Sequence, residues 1–235
     1  EVDNRLLTLA MRSAQIARNE IISAKIRKNS LAKILSPSYI KRYSDIFDSE
    51  ISLKPNNKKL SSGSTTHISI IDSQGNAVSV TTTNGEGCGH ILPDTGIMMN
   101  NMLGEEDLNP DGFHNWKTTK RMETMMSPTI VIGELGPELV LGSGGSNRIR
   151  SAITQVILNI LTKNVNLEEA IEAPRIHLEE NIIHCESGVN TEILSFPWSK
   201  IHHWHEKNLF FGGVNAVTPT NAVGDTRRSG YGLVD

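Results

Sequence analysis

The sequence predicts an α+β protein, on three observations. Apolar residues recur at helical spacing near the N-terminus, strand-like alternation with turn residues begins only near residue 65, and one further helical stripe follows a glycine-rich run at Gly142 to Gly145. Helices and strands are thus segregated along the chain rather than alternating as βαβ units.

Taking the elements in order, Leu6, Leu9, Ala10, Ala14, Ala17, Ile21 and Ala24 predict one long amphipathic helix over residues 3–27. A second helix is expected after Pro37, with Tyr39, Ile40, Tyr43, Ile46 and Phe47 on one side. Residues 53–64 change to Lys, Asn, Ser, Pro and Gly, the composition of an exposed connection, and divide the chain into 1–64 and 65–235. Beyond it, His67-Ile68-Ser69-Ile70 and Ala77 to Thr83 alternate around Ser73-Gln74-Gly75-Asn76 and read as a β-hairpin. If Asp72 faces Ala77, Thr66 lies opposite Thr83 and Thr65 opposite Asn84. Pro128 to Ile132 and Glu138 to Leu141 suggest a second strand pair, and Gly142 to Gly145 a loop before a helix carrying Ile149, Ile153, Val156, Ile157, Ile160 and Leu161. Asn166 with Glu169 predicts a capped short helix that Pro174 ends.

Composition excludes several functions. The chain has 235 residues, a formal net charge of −3, 37% hydrophobic and 21% charged residues, with no basic footprint for nucleic acid. No window approaches the roughly 18 apolar residues of a membrane-spanning helix, so a soluble protein is expected. No signal-peptide pattern is visible, which leans toward the cytoplasm, but the chain begins Glu1-Val2 without Met and the compartment stays open. Cys88 and Cys185 make neither a disulfide framework nor a zinc spacing. His202, His203 and His205 lack companion ligands and read as a packed or surface segment, so neither metal nor cofactor is expected.

Thr65 is the first candidate for chemistry. A threonine hydroxyl is a weak nucleophile at neutral pH, but cleavage before Thr65 would free its own α-amine, of reference pKa about 8, as a base within the same residue. A flexible run ending at Ser64 before a strand is what such a cut requires, although most such junctions are solvated turns. Backbone N–H groups at Gly144 and Gly145 can face a developing oxyanion, against the alternative of a tight turn that only Gly fits. The glycines from Asn84 to His90 have no Rossmann spacing and read as a substrate-side loop. Glu105-Glu106-Asp107 could receive an ammonium group or form a solvated acidic face.

Six motifs in order, STTHISIIDSQGNAVSVTTTNGEG, GIMMNNMLGEEDLNP, MMSPTIV, GSGGSNRIRSAI, EAPRIH and GDTRRSG, resemble the γ-glutamyltranspeptidase family of N-terminal-nucleophile hydrolases. The resemblance runs from 65 to 235, and the helical stretch before it is similar to the end of that family's large subunit. It implies a four-layer αββα sandwich, needing upstream large-subunit residues to be complete, and self-cleavage between Ser64 and Thr65. Thr65 is then the nucleophile, Thr83 its hydrogen-bonding partner, and Gly144 and Gly145 the oxyanion-hole glycines. Glu105, Asn101 and Thr124 fall among the substrate-binding positions. The implied substrates are γ-glutamyl amides such as glutathione, with water or an amino acid as acceptor. Met102 and Thr124-Met125 stand where many members have a glutamine and two serines, and the loop at Asn84 is shorter than theirs. The family arginine that binds the substrate carboxylate has no counterpart here. Two other readings therefore remain: a non-catalytic half-subunit needing a large-subunit partner, and an amidase for another acyl group.

Overall fold

The computed structural model describes residues 3–23, 35–45, 65–105, 108–109, 112–116, 118–119 and 121–235. The linker 53–64 with Ser64, the expected helix end 24–27, and Ile46 and Phe47 lie outside the described residues. The chain forms two compact units, one of residues 1–58 and 174–206, the other of 59–173 and 207–235.

In the first unit, α1 (Asn4–Ser23) and α2 (Pro37–Ser44) accompany a three-stranded sheet of β5 (Ile176–Glu179), β6 (Ile182–Cys185) and β7 (Lys200–His203). The buried face of α1 is not the expected one. Leu6, Ala10 and Ala14 are exposed, whereas Leu9 and Ile16 are buried together with Thr8, Arg12 and Ser13. Thr8 and Ser13 can be buried there because each hydroxyl finds an acceptor. Ser13 Oγ donates to the Tyr43 carbonyl at 2.9 Å, Thr8 Oγ1 donates to Asn4 O at 2.8 Å, and the Arg12 guanidinium lies 4.3 Å from the Trp198 ring centroid. His202 and His203 belong to β7, and Trp204 Nε1 donates to His184 Nδ1 at 3.2 Å. No metal-binding cluster of His, Cys, Asp or Glu occurs among the described residues.

The second unit is built on β1 (Thr65–Ile71), β2 (Ala77–Thr83), β3 (Thr129–Gly133), β4 (Gly136–Gly144), α3 (Arg148–Lys163), α4 (Leu167–Glu172), β8 (Gly213–Thr218) and β9 (Asn221–Val223). The β1–β2 hairpin stacks on a four-stranded antiparallel sheet of order β3-β4-β8-β9, whose other face carries α3 and α4. Leu139, Leu141, Val214 and Ala216 meet Ile149, Ala152, Ile153 and Val156 of α3 and Leu167, Ala170 and Ile171 of α4 in one core. The α3 stripe was legible in sequence, and so was the start of α4, where the Asn166 side chain accepts from Glu169 N at 2.9 Å. Leu161, by contrast, is exposed.

The hairpin's two faces invert the usual arrangement. Its inward face, toward β4 and β8, is mainly hydroxyl and imidazole, while Ile68, Ile70, Val78 and Val80 are 42–55% exposed on the outward one. The inward polar groups are satisfied across the two sheets: Ser79 Oγ donates to Leu141 O at 3.1 Å and Ser69 Oγ to Asn215 O at 3.2 Å. A buried ion pair fastens the other end of the unit. Asp225 accepts from Val214 N and from Arg227 Nη1, and the Arg227 guanidinium also donates to Ile171 O and Ala173 O.

Two expectations require correction. The hairpin register is shifted by one residue, with Thr65 opposite Thr83 and Ile71 opposite Ala77. The cause is a three-residue turn. Asp72 N donates to Asn76 O, the Asp72 carboxylate accepts from Gln74 N and Asn76 N, and Gly75 takes φ +82°. Asp72 therefore faces Asn76, not Ala77. Further on, Gly142 to Gly144 are not loop but the end of β4, paired with Asn215, Val214 and Gly213. Only Gly145 to Asn147 turn the chain into α3.

Candidate active site

Correcting the register brings the first site pair together. In antiparallel pairing, directly opposed residues share a face, so Thr65 and Thr83 both point toward β4. Their hydroxyls are 3.0 Å apart, and Thr83 Oγ1 also accepts from Gly85 N at 2.9 Å. Thr65 is the first residue of β1, half-buried at the edge of the sandwich, so its backbone N marks the point where the chain leaves the described strand.

Gly144 lies beneath it. A Cβ on Gly144 would stand 2.4 Å from the Thr65 carbonyl oxygen, closer than any side chain permits. Gly145 follows with φ +130°, and a Cβ there would lie 2.8 Å from Gly212 Cα. Ser143 Oγ holds this turn by donating to Gly144 O at 2.8 Å while it accepts from Gly213 N at 3.1 Å. Ser146, at φ +52°, presents its hydroxyl to Glu105 Oε2 at 3.5 Å.

A shallow, open recess adjoins the pair. Thr65 and Thr83 form one wall, Glu105, Thr124 and Ser146 supply polar groups, and Met102, Leu108, Met125, Met126 and Ile149 complete an apolar remainder. Glu105 is 6% exposed, unlike a member of a solvated acidic run, while Glu106 and Asp107 lie outside the described residues. The Thr124 hydroxyl accepts from Met126 N at 3.2 Å, a local turn that fixes the segment lining the recess. Asn101 stands apart. Its backbone N donates to Asn84 O at 2.8 Å, and its side chain packs where a Cβ of Gly104 would be, so it shapes the loop without lining the recess.

Sequence reasoning missed Ser146, Leu108, Met126 and His67. Ser146 had a usable signal, since it directly follows the glycines. The two apolar residues had none, because a hydrophobic side chain in a loop carries no mark of which cavity it lines. Burial pushes the His67 imidazole down to about 4, and its neighbours are hydroxyls rather than charges.

Comparison with known proteins identifies the family. The family model described as "Gamma-glutamyltranspeptidase" matches residues 4–234. Among curated proteins, the chain is 32% identical over 180 residues to the glutathione hydrolase proenzyme of Bacillus subtilis (strain 168), covering 73% of this chain and 31% of that protein. It is 31% identical over 158 residues to the acylase ACY 1 proenzyme of Pseudomonas sp. (strain SE83), covering 66% of this chain and 28% of that one. The chain thus spans about a third of the length of these relatives. Among solved structures, γ-glutamyltranspeptidase from Pseudomonas nitroreducens complexed with L-DON aligns with TM-score 0.59 and 27% identity, over 72% of this chain and 99% of that chain. The Bacillus anthracis transpeptidase CapD aligns with TM-score 0.58 and 28% identity, over 72% and 99%. The α+β fold with its stacked antiparallel sheets is the one these neighbours share. Matched by the family model along nearly its whole length, the chain belongs to the γ-glutamyltranspeptidase family.

Proposed function

We propose that this chain carries the small-subunit chemistry of a γ-glutamyl hydrolase or transpeptidase, with Thr65 as nucleophile after self-cleavage between Ser64 and Thr65. The observation that carries this reading is the 3.0 Å contact between the Thr65 and Thr83 hydroxyls, at the first residue of a strand and directly over Gly144. Once freed, the Thr65 α-amine takes the proton of its own hydroxyl as Oγ1 forms a bond to the γ-glutamyl carbonyl carbon. The tetrahedral intermediate collapses as the C–N bond breaks and the proton passes to the leaving amine. An acyl ester remains on Thr65. Water resolves it in hydrolysis, and the amine of an amino acid or peptide in transfer.

The other residues have matching tasks. Thr83 Oγ1 accepts from Gly85 N–H and lies 3.0 Å from Thr65 Oγ1, a contact that would orient the nucleophile. Backbone N–H groups at Gly144 and Gly145 would receive the oxyanion. Glu105 would hold the substrate's α-ammonium, with Thr124 also lining the recess and Asn101 supporting the loop. No cofactor is required. The relatives' remaining two thirds, as a segment or a partner chain, would supply the rest of the pocket.

Intact-mass measurement and N-terminal sequencing of the whole protein test this reading. A fragment beginning at Thr65 and turnover of γ-glutamyl-p-nitroanilide are expected, both lost in Thr65→Ala. A chain that stays uncut under conditions where it is folded would overturn it.

A second reading, an amidase for another acyl group, is favoured by one observation. Five apolar residues, Met102, Leu108, Met125, Met126 and Ile149, line the recess. Such a wall suits an uncharged acyl chain, in keeping with the acylase relatives. A panel of acyl-p-nitroanilides separates the two.

A further inference from the structure

The hairpin holds one buried residue that the chemistry above leaves unused. Among the residues of β1 and β2, only His67 is buried, at 3% exposure. It sits two positions after Thr65 on the same inward face, so the two side chains meet the same neighbouring strand about 7 Å apart. That strand is matched to both of them. A Cβ on Gly142 would fall 2.3 Å from His67 Cε1 and Nδ1, just as a Cβ on Gly144 would fall 2.4 Å from the Thr65 carbonyl oxygen. Alternate glycines of β4 thus receive alternate residues of β1. Face-to-face sheets ordinarily stand about 10 Å apart, held by side chains from both. Here β4 contributes none at 142 or 144, so the imidazole alone fills the gap at the first of these positions.

Hydrogen bonds fix the ring in that gap and define its tautomer. Ser69 Oγ has a single proton, and that proton goes to the Asn215 carbonyl, which can only accept. Ser69 Oγ therefore accepts from His67 Nε2–H at 2.8 Å, and Nδ1 accepts from Thr81 Oγ1 at 2.7 Å. The backbone of the same residue is held as well, since Asn215 Nδ2 donates to His67 O at 2.8 Å. One residue is consequently tied to β1, β2 and β8 and seated on β4. Neither ring nitrogen is left to act as an acid or base.

We propose that His67 is a positioning residue for the nucleophile: seated on Gly142, its ring sets the separation of β1 from β4 and so the place of the Thr65 hydroxyl beside Thr83 and over Gly144. This role rests on the reading of Thr65 as nucleophile. It differs from general core packing in that the separation it sets is read out two residues away, at a group where a displacement of about 1 Å costs on the order of 10²-fold in rate.

The spacer role makes a prediction that simple damage does not. In His67→Ala the ring is gone and β1 settles toward Gly142. In Gly142→Ala the added methyl drives the ring, and β1 with it, outward. In the double variant the methyl occupies space the ring vacated, so the two faults offset each other. For γ-glutamyl-p-nitroanilide turnover by the whole protein, each single variant is expected to lose kcat by about 10²-fold, with KM changed by less than about 3-fold. The double variant is expected to recover at least about tenfold over either single one. His67→Gln, whose amide can donate to Ser69 and accept from Thr81, is expected to stay within about tenfold of the unaltered protein, and it serves also if His67→Ala does not fold. Losses in the double variant equal to the product of the single losses would overturn the proposal, as would His67→Ala with unchanged kcat. A His67→Gln no better than His67→Ala would do the same. An unaltered protein that is neither cut at Thr65 nor active would instead overturn the Thr65 reading itself, and the positioning role with it.

Discussion

Gly144 approaches Thr65 so closely that no side chain fits between them: a Cβ at 144 would lie 2.4 Å from the Thr65 carbonyl oxygen. The opposing group is backbone and cannot rotate away, so relief requires β1 to move. Gly144→Ala is therefore expected to displace the nucleophile and the turn at Gly145 together. Self-cleavage and kcat should fall by at least about 10²-fold. Stability should fall by only about 1–3 kcal/mol, the usual cost of overpacking. Thermal denaturation beside cleavage kinetics checks this, and an active, cleaved Gly144→Ala protein would contradict it.

Thr83 separates a hydroxyl effect from a shape effect. Thr83→Val keeps the volume but leaves Gly85 N and Thr65 Oγ1 without their shared partner, whereas Thr83→Ser keeps the hydroxyl. A neutral hydrogen bond contributes about 0.5–1.5 kcal/mol, and an unsatisfied partly buried donor costs about 1–3. Thr83→Val should thus lose roughly 10- to 10³-fold in kcat, while Thr83→Ser stays within about tenfold. Equal losses in the two variants would show that the methyl group, not the hydroxyl, matters.

Much of this arrangement was legible in the sequence, and the exceptions have physical causes. A 3.6-residue stripe marked α3 because one of its faces is buried, whereas the period-2 alternation that marked β1 and β2 comes from Ile68, Ile70, Val78 and Val80 on the exposed face, opposite a polar face turned inward. The hairpin register was missed by one residue because turn length depends on which groups the Asp72 carboxylate binds, and Gly75 permits a three-residue turn as readily as a longer one. The end of β4 read as loop because glycine has low strand propensity. It is strand here because Thr65 and His67 demand the space. For α1, the sequence marked an alanine face, yet the structure buries Arg12 and Ser13, whose partners Trp198 and Tyr43 lie far along the chain. Thr65, Thr83 and Glu105 could be singled out by residue type and motif. The recess walls at Leu108 and Met126 could not.

Glu105 distinguishes the two substrate readings. If it holds an ammonium group, Glu105→Gln removes the charge but retains the shape, and a charge-assisted hydrogen bond of about 1.5–3 kcal/mol is weakened. KM for γ-glutamyl-p-nitroanilide should then rise about 10- to 100-fold with a smaller change in kcat. An acyl anilide without an α-amine should show no such rise. If both substrates respond alike, Glu105 supports the fold through Ser146 rather than reading the substrate.

The buried imidazole of His67 also gives the fold a pH dependence of defined sign. Its folded-state pKa, about 4, lies below the unfolded value of about 6.5 because burial disfavours the cation. Between these values the unfolded chain binds more protons than the folded one, so stability rises with pH through this window and levels above it. The slope contributed by this one group is at most about 1.4 kcal/mol per pH unit. The nearest charged residues along its network are Asp225, reached through Asn215, and its partner Arg227. Glu172 acts lower on the scale. Burial raises its pKa, but bonds from Lys207 and Thr226 outweigh that and bring it down to about 2, so its contribution is lost only as pH falls from about 4.5 toward 2. Denaturant titrations from pH 4 to pH 8 should therefore show a plateau above about pH 6.5 and a decline below it, and His67→Gln should flatten that decline. An unchanged slope in His67→Gln would assign the acid sensitivity to another group.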